Sequence, residues 1–310
     1  AYTNPETRGY FFTSERNGEF CWSSGPIWDF RNESARKFYV DKVIGEITSE
    51  KESGLNLVFF DGGLGVLSEN PHPSPSGQIG CNCNCSISYN ASGRDLNVTD
   101  AERMQSVRAS LETLRLIAVR LNEAGIVPIF SIAVPFDPEV ASRRGYPGQL
   151  SEGKPFTEAE VVAALANVTW MRYYEWFQSS GWSEGIGMSV ENMMNETALQ
   201  IPVMAHAYGQ PMNCSDPNDA GIGSAIAAFM IAMGNYSFFQ TSSSVVGADP
   251  WTDAGWCWHP LYDLKCGEPH GIAAKNSSGF WERAFKHCTV TLNQHSNRYS
   301  IVQDGERLAW

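Results

Sequence analysis

The chain has 310 residues, a net charge of −12 and a charged fraction of 18%. Its acidity argues against nucleic acid or an anionic membrane as a partner, because both attract basic surfaces. The length suits one (β/α) barrel with a small appendage, and 43% hydrophobic residues are typical of a globular protein. The longest apolar run, 225–233, is about half the length of a membrane span, so we expect no span and interpret it as a core helix.

Helices and buried strands alternate through the first half of the chain. A stripe of apolar residues over 33–47 predicts a helix, and the run 54–61 predicts a strand buried on both faces. An irregular segment over 62–97 follows, and a capping-box pattern after it opens a predicted helix over 99–123. A second buried strand is predicted over 126–133.

The alternation continues in the second half. Apolar spacing predicts a helix over 157–176, and short apolar runs over 185–192 and 200–206 predict two strands. An alanine-rich helix over 222–233 then leads into a strand over 235–241. Recurring strands separated by helices are typical of an α/β protein, here a parallel TIM-type (β/α) barrel. The barrel either is incomplete or has its first strands before residue 1.

The C-terminal part of the chain breaks this alternation. We therefore assign residues 1–248 to the barrel core and 249–310 to a disulfide-stapled β extension of the same domain. The run 280–287 predicts a helix, and the runs 289–293 and 298–302 predict two closing strands that pair in antiparallel fashion.

The cysteines indicate an oxidising compartment. Their number is even, and up to four disulfides are predicted, with a pairing that the sequence leaves open. Zinc binding is the competing interpretation of the 81–85 cluster, but C-x-C-x-C lacks the C-x2-C spacing of structural zinc sites. We expect disulfides and no metal. The eight cysteines are Cys21, Cys81, Cys83, Cys85, Cys214, Cys257, Cys266 and Cys288.

Asparagine sequons point to the secretory route as well. N-x-S/T occurs nine times, which is several times what chance spacing gives, although each single match is weak. Glycans would supply the surface polarity that the low charged fraction lacks. The sequence therefore predicts a secreted, extracellular glycoprotein. The acceptor residues are Asn32, Asn84, Asn90, Asn97, Asn167, Asn195, Asn213, Asn235 and Asn276.

An aromatic loop over 250–269 is a candidate sugar-binding region. Aromatic rings beside polar groups are common in sugar-binding clefts, and Trp256 and Trp258 are the candidate platforms. A stapled loop that packs its tryptophans on the core is an equally good interpretation.

Three predicted strands end at ionisable side chains, namely Asp61, Glu191 and His206. Catalytic residues of (β/α) barrels lie at the carboxyl ends of strands, which makes these residues candidates for a site. Asp61 is also a suitable turn cap, and a lone histidine at a strand end is more often structural.

Two segments resemble those of glycoside-hydrolase-like (β/α)8 barrels. The first is W-D-F-R-N-E-S-A-R-K-F-Y over 28–39, followed by the strand G-L-N-L-V-F-F-D-G over 54–62. The second is G-F-W-E-R-A-F over 279–285, followed by T-V-T-L-N over 289–293.

The resemblance implies a carbohydrate substrate, a (β/α) barrel and no cofactor. A glycosidase needs one carboxylic acid to protonate the leaving oxygen and one carboxylate as nucleophile or base. The resemblance implies Asp61 in the second role and Glu191 in the first, with Asp29 in reserve. His206 would hydrogen-bond a sugar hydroxyl.

A non-catalytic structural glycoprotein is the alternative function. Dense sequons, stapled loops and a barrel short of strands would suit a subunit that self-associates into a filament or surface assembly, because open strand edges need to be covered. Fold alone does not separate the two hypotheses.

Overall fold

The computed structural model describes residues 28–49, 54–60, 100–130, 158–174, 177, 186–208, 216, 219–242, 258–293 and 298–309. The chain divides into two compact units, unit 1 (Ala1–Trp170) and unit 2 (Met171–Trp310). The sequence-based boundary at residue 249 stays a prediction.

Unit 1 opens with a continuous helical segment, as predicted over 33–47. It consists of α1 (Glu33–Phe38), a π-helical stretch (Tyr39–Ile44) and α2 (Gly45–Ser49). Asn32 is the N-cap, and its Oδ1 accepts a hydrogen bond from the Ser34 backbone N–H at 2.9 Å, which satisfies one otherwise unpaired donor of the first turn.

Two parallel strands and two further helices complete the described part of unit 1. The strand β1 (Leu57–Phe60) pairs with β2 (Val127–Phe130) in parallel. The helix α3 (Asp100–Glu123) buries an apolar stripe, and α4 (Glu158–Ala164) follows β2 in the sequence. The fully buried residues of that stripe are Leu114, Ile117, Ala118 and Leu121. Both strands and the long helix were predicted.

The strand β1 is not buried on both faces, so that part of the prediction is wrong. Leu57 is 50% exposed and Phe59 is 42% exposed, whereas Val58 and Phe60 on the other face are half-buried. An unbroken apolar run indicates high β propensity, but it does not indicate whether one or both faces of the strand are covered by other elements.

The predicted helix over 157–176 is wrong beyond Ala164, because Met171–Tyr174 forms the strand β3 of unit 2. The chain turns between them, and this turn is tied to the end of α3: Asn122 Nδ2 donates to the Thr169 carbonyl at 2.9 Å, and the Thr169 N–H donates to Asn122 Oδ1 at 2.7 Å. The apolar residues of the turn and of β3 happen to continue the helical spacing of α4, and this coincidence produced the wrong prediction.

The predicted strand over 185–192 is also wrong, because Ile186–Ala198 forms the helix α5. The buried residues Val190, Met193 and Thr197 recur at intervals of three and four, which places them on one helical face. Glu191 therefore lies within a helix and does not end a strand.

The remaining predicted core elements of unit 2 are confirmed. The strands β3, β4 (Val203–Tyr208) and β5 (Ser237–Ser242) are paired in parallel in that order, and α6 (Ala220–Ala232) precedes β5. Parallel strands alternating with helices place the protein in the α/β class. Closure into a barrel stays a prediction.

An antiparallel sheet forms the C-terminal part of unit 2. The predicted helix over 280–287 is wrong, since alternate side chains from Phe280 to Ala284 are buried and this segment is a strand. The two predicted closing strands and their antiparallel pairing are confirmed. The strands are β6 (Ala274–Lys275), β7 (Phe280–Ala284), β8 (Cys288–Asn293), β9 (Arg298–Gln303) and β10 (Glu306–Ala309).

The helix α6 packs between the parallel strands of unit 2 and the antiparallel sheet. It contacts β4 and β5 as well as β7, β8 and β9, and ten of its 13 residues are buried. Gly223 permits this packing, because a Cβ there would lie 1.8 Å from the Tyr299 hydroxyl oxygen of β9. The helical glycine costs about 1 kcal/mol relative to alanine, but close approach of the sheet requires it.

Both ends of α6 are capped by buried or half-buried side chains. Asp219 Oδ1 accepts the Ile222 N–H at 2.9 Å. At the other end, Arg283 Nη1 donates to the carbonyls of Met230, Ile231 and Met233 at 3.0, 3.1 and 2.7 Å. A cation at the carboxyl end also matches the negative pole of the helix dipole.

None of the described helices combines the length and the apolar character that a membrane crossing would need.

We expect Arg283→Met to reduce the free energy of unfolding by about 2–4 kcal/mol, because three carbonyls lose a charged donor in a buried place. Arg298→Met, at an exposed position of β9, is the matched control and should change stability by less than about 0.5 kcal/mol. Chemical denaturation of the three proteins measures the difference. Equal midpoints for wild type and Arg283→Met would contradict the capping role.

Candidate functional site

The candidate site of unit 2 lies at the carboxyl ends of β4 and β5. Ligand sites in parallel α/β sheets form at this end of the strands. The segment 258–263 is anchored there, because the Tyr262 and Thr241 hydroxyl groups are 2.6 Å apart. Burial raises the pKa of the Tyr262 phenol, which therefore stays protonated at neutral pH.

Trp258 is the exposed part of this segment. Its indole is 68% exposed, and Nε1 donates to Asp263 Oδ2 at 3.0 Å. Its ring meets the Tyr262 ring edge to face, with centroids 5.3 Å apart. The indole is therefore held in place by two neighbours while most of its surface faces solvent.

A short 3₁₀ helix (Pro260–Asp263) gives the segment its shape. His259 is its N-cap: the buried imidazole Nδ1 accepts the Leu261 N–H at 3.2 Å, and Nε2 lies 3.1 Å from the Asp216 carbonyl oxygen. The capped 3₁₀ helix fixes the backbone between Trp258 and Asp263, which lowers the entropy that a ligand would have to remove on binding.

His206 lies near the same end of β4 and pairs with Tyr173 of β3. The Tyr173 hydroxyl and His206 Nδ1 are 2.8 Å apart. Burial lowers the pKa of His206 to about 4, so the imidazole is neutral at pH 7. The sequence predicted this residue as a sugar ligand; the structure shows a buried, hydrogen-bonded histidine at the carboxyl end of a strand.

The two polar pairs lie on opposite faces of the parallel strands. Ala207 of β4 is in register with Thr241 of β5, and both are on the face that packs against α6. His206 is one residue earlier and therefore belongs to the other face, with Tyr173. The Trp258 segment and the histidine pair share one sheet end but do not form one cluster.

Glu191 is exposed on α5, and its Oε1 is 3.0 Å from the Lys275 ammonium nitrogen. Lys275 also lies over the Trp281 ring, 5.0 Å from the centroid. A glycosidase acid lies within hydrogen-bond reach of the leaving oxygen, whereas this carboxylate is exposed on a helix and bonded to a lysine. The geometry of Glu191 is that of a surface contact between α5 and β6.

Asp29, the reserve carboxylate, belongs to unit 1 and pairs with its neighbour Arg31. The contacts are bidentate, with Arg31 Nε at 2.8 Å from Oδ1 and Nη2 at 2.9 Å from Oδ2. The Arg31 N–H also donates to Oδ1 at 3.1 Å. These bonds shape the turn that leads into α1.

A buried ion pair stabilises the helix-facing side of β3. Arg172 Nε lies 3.6 Å from Glu196 Oε1, and the Tyr174 hydroxyl donates to Glu196 Oε2 at 2.8 Å. Both charged side chains are almost fully buried between β3 and α5. Removing one partner of such a pair is costly, so we assign the pair to structure.

Several predicted residues lie outside the described part of the chain. Cys266 and Cys288 form a disulfide. Among the sequons, the side chains of Asn167, Asn195, Asn235 and Asn276 are exposed and that of Asn32 is half-buried. The predicted residues outside the described ranges are Asp61, Trp256, Cys21, Cys81, Cys83, Cys85, Cys214, Cys257, Asn84, Asn90, Asn97 and Asn213.

Sequence reasoning missed Tyr173, Thr241 and Tyr262 as site residues. Thr241 ends a correctly predicted strand, so its position at the strand end was an available signal. Tyr173 was hidden by the mistaken helix over 157–176. Within the described ranges, His, Cys, Asp and Glu side chains form no group of three that could hold a metal ion.

Neither a protein-family model nor a curated protein matches the chain at a significant level. The resemblance to glycoside-hydrolase-like barrels therefore stays a prediction.

We expect His206 to make stability fall with decreasing pH between about 6.5 and 4. Its pKa is about 4 in the folded protein and about 6.5 in the unfolded chain, so in this window only the unfolded chain takes up the proton. The loss is on the order of 2–3 kcal/mol between pH 7 and pH 4.5. Denaturation of wild type and His206→Gln at both pH values measures it, and an equal pH dependence for the two proteins would contradict the assignment.

Proposed function

We propose that the protein is a secreted, N-glycosylated, glycoside-hydrolase-like barrel that binds polysaccharide at the carboxyl ends of its parallel strands. The observation that carries the proposal is the solvent-exposed indole of Trp258, held by Asp263 and Tyr262. Four exposed sequon asparagines and the disulfide between Cys266 and Cys288 support the extracellular part of the proposal.

A fixed, exposed tryptophan beside a carboxylate suits a sugar ring. The apolar face of a pyranose packs on an aromatic ring, while carboxylate oxygens accept hydrogen bonds from its hydroxyl groups. Trp258 supplies the first element and Asp263 the second. Because the bond between Trp258 and Asp263 already orients both groups, little rotamer entropy is lost when a sugar binds.

Hydrolysis is the second part of the proposal and depends on Asp61. The reaction needs two carboxyl groups, one protonated and one ionised. The exposed ion pair between Glu191 and Lys275 does not favour Glu191 as the acid. Asp61 stays the proposed nucleophile or base, and a second carboxyl group other than Glu191 protonates the leaving oxygen.

We expect Trp258→Ala to weaken polysaccharide binding by at least tenfold, because the largest apolar contact is lost. Tyr236→Ala is the matched control, since Tyr236 is an aromatic residue with a similar exposed fraction of 57% that precedes β5 at its other end. Affinity electrophoresis against a panel of plant and algal polysaccharides compares the variants. The binding proposal is wrong if wild type binds none of them or if both variants bind as wild type does.

Hydrolysis is tested with Asp61→Asn and Glu191→Gln. We expect release of reducing sugar to fall by at least 100-fold in Asp61→Asn and to change little in Glu191→Gln. A loss in both variants would restore Glu191 to the predicted pair, and activity that survives in Asp61→Asn would exclude Asp61. Filaments in electron micrographs of a protein that neither binds nor cleaves polysaccharide would instead support the structural alternative.

A further inference from the structure

Two large apolar side chains of unit 2 are exposed directly beside sequon asparagines. Leu199 is 59% exposed and follows Asn195 by one helical turn. Tyr236 is 57% exposed and follows Asn235 in the sequence. A single exposed apolar side chain is common, but two that lie close together offer an apolar surface that another molecule can bury.

The position of Leu199 is fixed by the end of α5. The Leu199 N–H donates to the Asn195 carbonyl at 3.3 Å, so the two residues occupy the same side of the helix. Gln200 has a positive φ of 61°, and the Ile201 N–H returns to the Glu196 carbonyl at 3.0 Å, which is the Schellman pattern. This turn directs the chain into β4 while Leu199 stays outside the core.

The position of Tyr236 is fixed by the turn between α6 and β5. Its carbonyl accepts the Val203 N–H at 2.9 Å, and the Ser237 hydroxyl oxygen accepts the Gly234 N–H at 2.9 Å. The backbone of the turn is thus bonded on both sides. The side chains of Asn235 and Tyr236 are both exposed.

The two turns are neighbours at one edge of the parallel sheet. One leads into β4 and the other into β5, and these strands begin in register with Val203 opposite Ser237. Both sequons and both apolar residues therefore lie at the amino-terminal edge. The Trp258 segment is anchored at the carboxyl-terminal edge through Thr241.

We propose that N-linked glycans on Asn195 and Asn235 cover Leu199 and Tyr236 and so shield the amino-terminal edge of β4 and β5 from self-association. The first sugar of an N-glycan carries an acetamido methyl group and an apolar ring face, which suit contact with a leucine and a tyrosine ring. The inference rests on the secretory part of the proposed function and not on polysaccharide binding.

Site occupancy is the first test. Glycopeptide mass spectrometry of the secreted protein should find sugar on both Asn195 and Asn235. An unmodified asparagine at either position would overturn the inference, whatever the outcome of the polysaccharide-binding assays with Trp258→Ala.

Removal of sugar from the folded protein is the second test. After treatment with an amidase that removes whole glycans, the particle mass should rise as the protein concentration is raised. After treatment with an endoglycosidase that leaves the first sugar in place, the particle mass should not depend on the protein concentration. Static light scattering measures the particle mass. Identical behaviour after the two treatments would overturn the shielding role.

Sequon variants test whether self-association depends on loss of the glycans at Asn195 and Asn235. Asn195→Gln with Asn235→Gln should self-associate, whereas Ser278→Ala should behave as wild type. Ser278→Ala removes the exposed sequon at Asn276 without changing the two backbone hydrogen bonds that Asn276 Oδ1 accepts.

A reversal experiment separates shielding from a role in folding. Adding Leu199→Ser and Tyr236→Ser to the variant without the two glycans should restore the wild-type particle mass, because the apolar surface is then gone. Self-association that persists in this four-site variant would show that the glycans do not act by covering Leu199 and Tyr236.

Discussion

Burial of ten of the 13 residues of α6 is the constraint on which unit 2 depends. A helix that is apolar on all sides cannot lie on a surface, so it needs a sheet on each side. The parallel strands β4 and β5 cover one side and the antiparallel strands β7, β8 and β9 the other. Asp219 and Arg283 supply hydrogen bonds to backbone groups at the two ends of α6.

This packing also determines which side chains of β4 and β5 remain outside the core, where they can form a site. Alternate residues of β4 face α6, so Val203, Ala205 and Ala207 are committed to the core. His206 is left for the opposite face, where it meets Tyr173. Thr241 of β5 faces the helix side but lies at the strand end, where its hydroxyl can still hold Tyr262 and, through it, the Trp258 segment.

The sequence predicted those elements whose burial follows a single period over a long distance. The 24 residues of α3 and the alanine-rich α6 are of this kind, and both were found. Short segments were ambiguous: Met171–Tyr174 continued a helical spacing, and Phe280–Ala284 has aromatic residues that suit either structure. Glu191 was misplaced for the same reason, whereas the role predicted for Trp258 depended on the composition of the aromatic loop and stays a prediction.

The two edges of the parallel strands expose different kinds of side chain. At the carboxyl-terminal edge, an exposed indole is held by Asp263 and Tyr262, which presents a fixed aromatic surface to a ligand. At the amino-terminal edge, Leu199 and Tyr236 are exposed because backbone turns fix them, and each has an acceptor asparagine within one turn of chain. Sugar would thus meet both edges, as a ligand at one and as a covalent cover at the other. Because a six-residue parallel strand separates these edges by about 20 Å, the first sugars of the proposed glycans at Asn195 and Asn235 would lie away from the Trp258 surface.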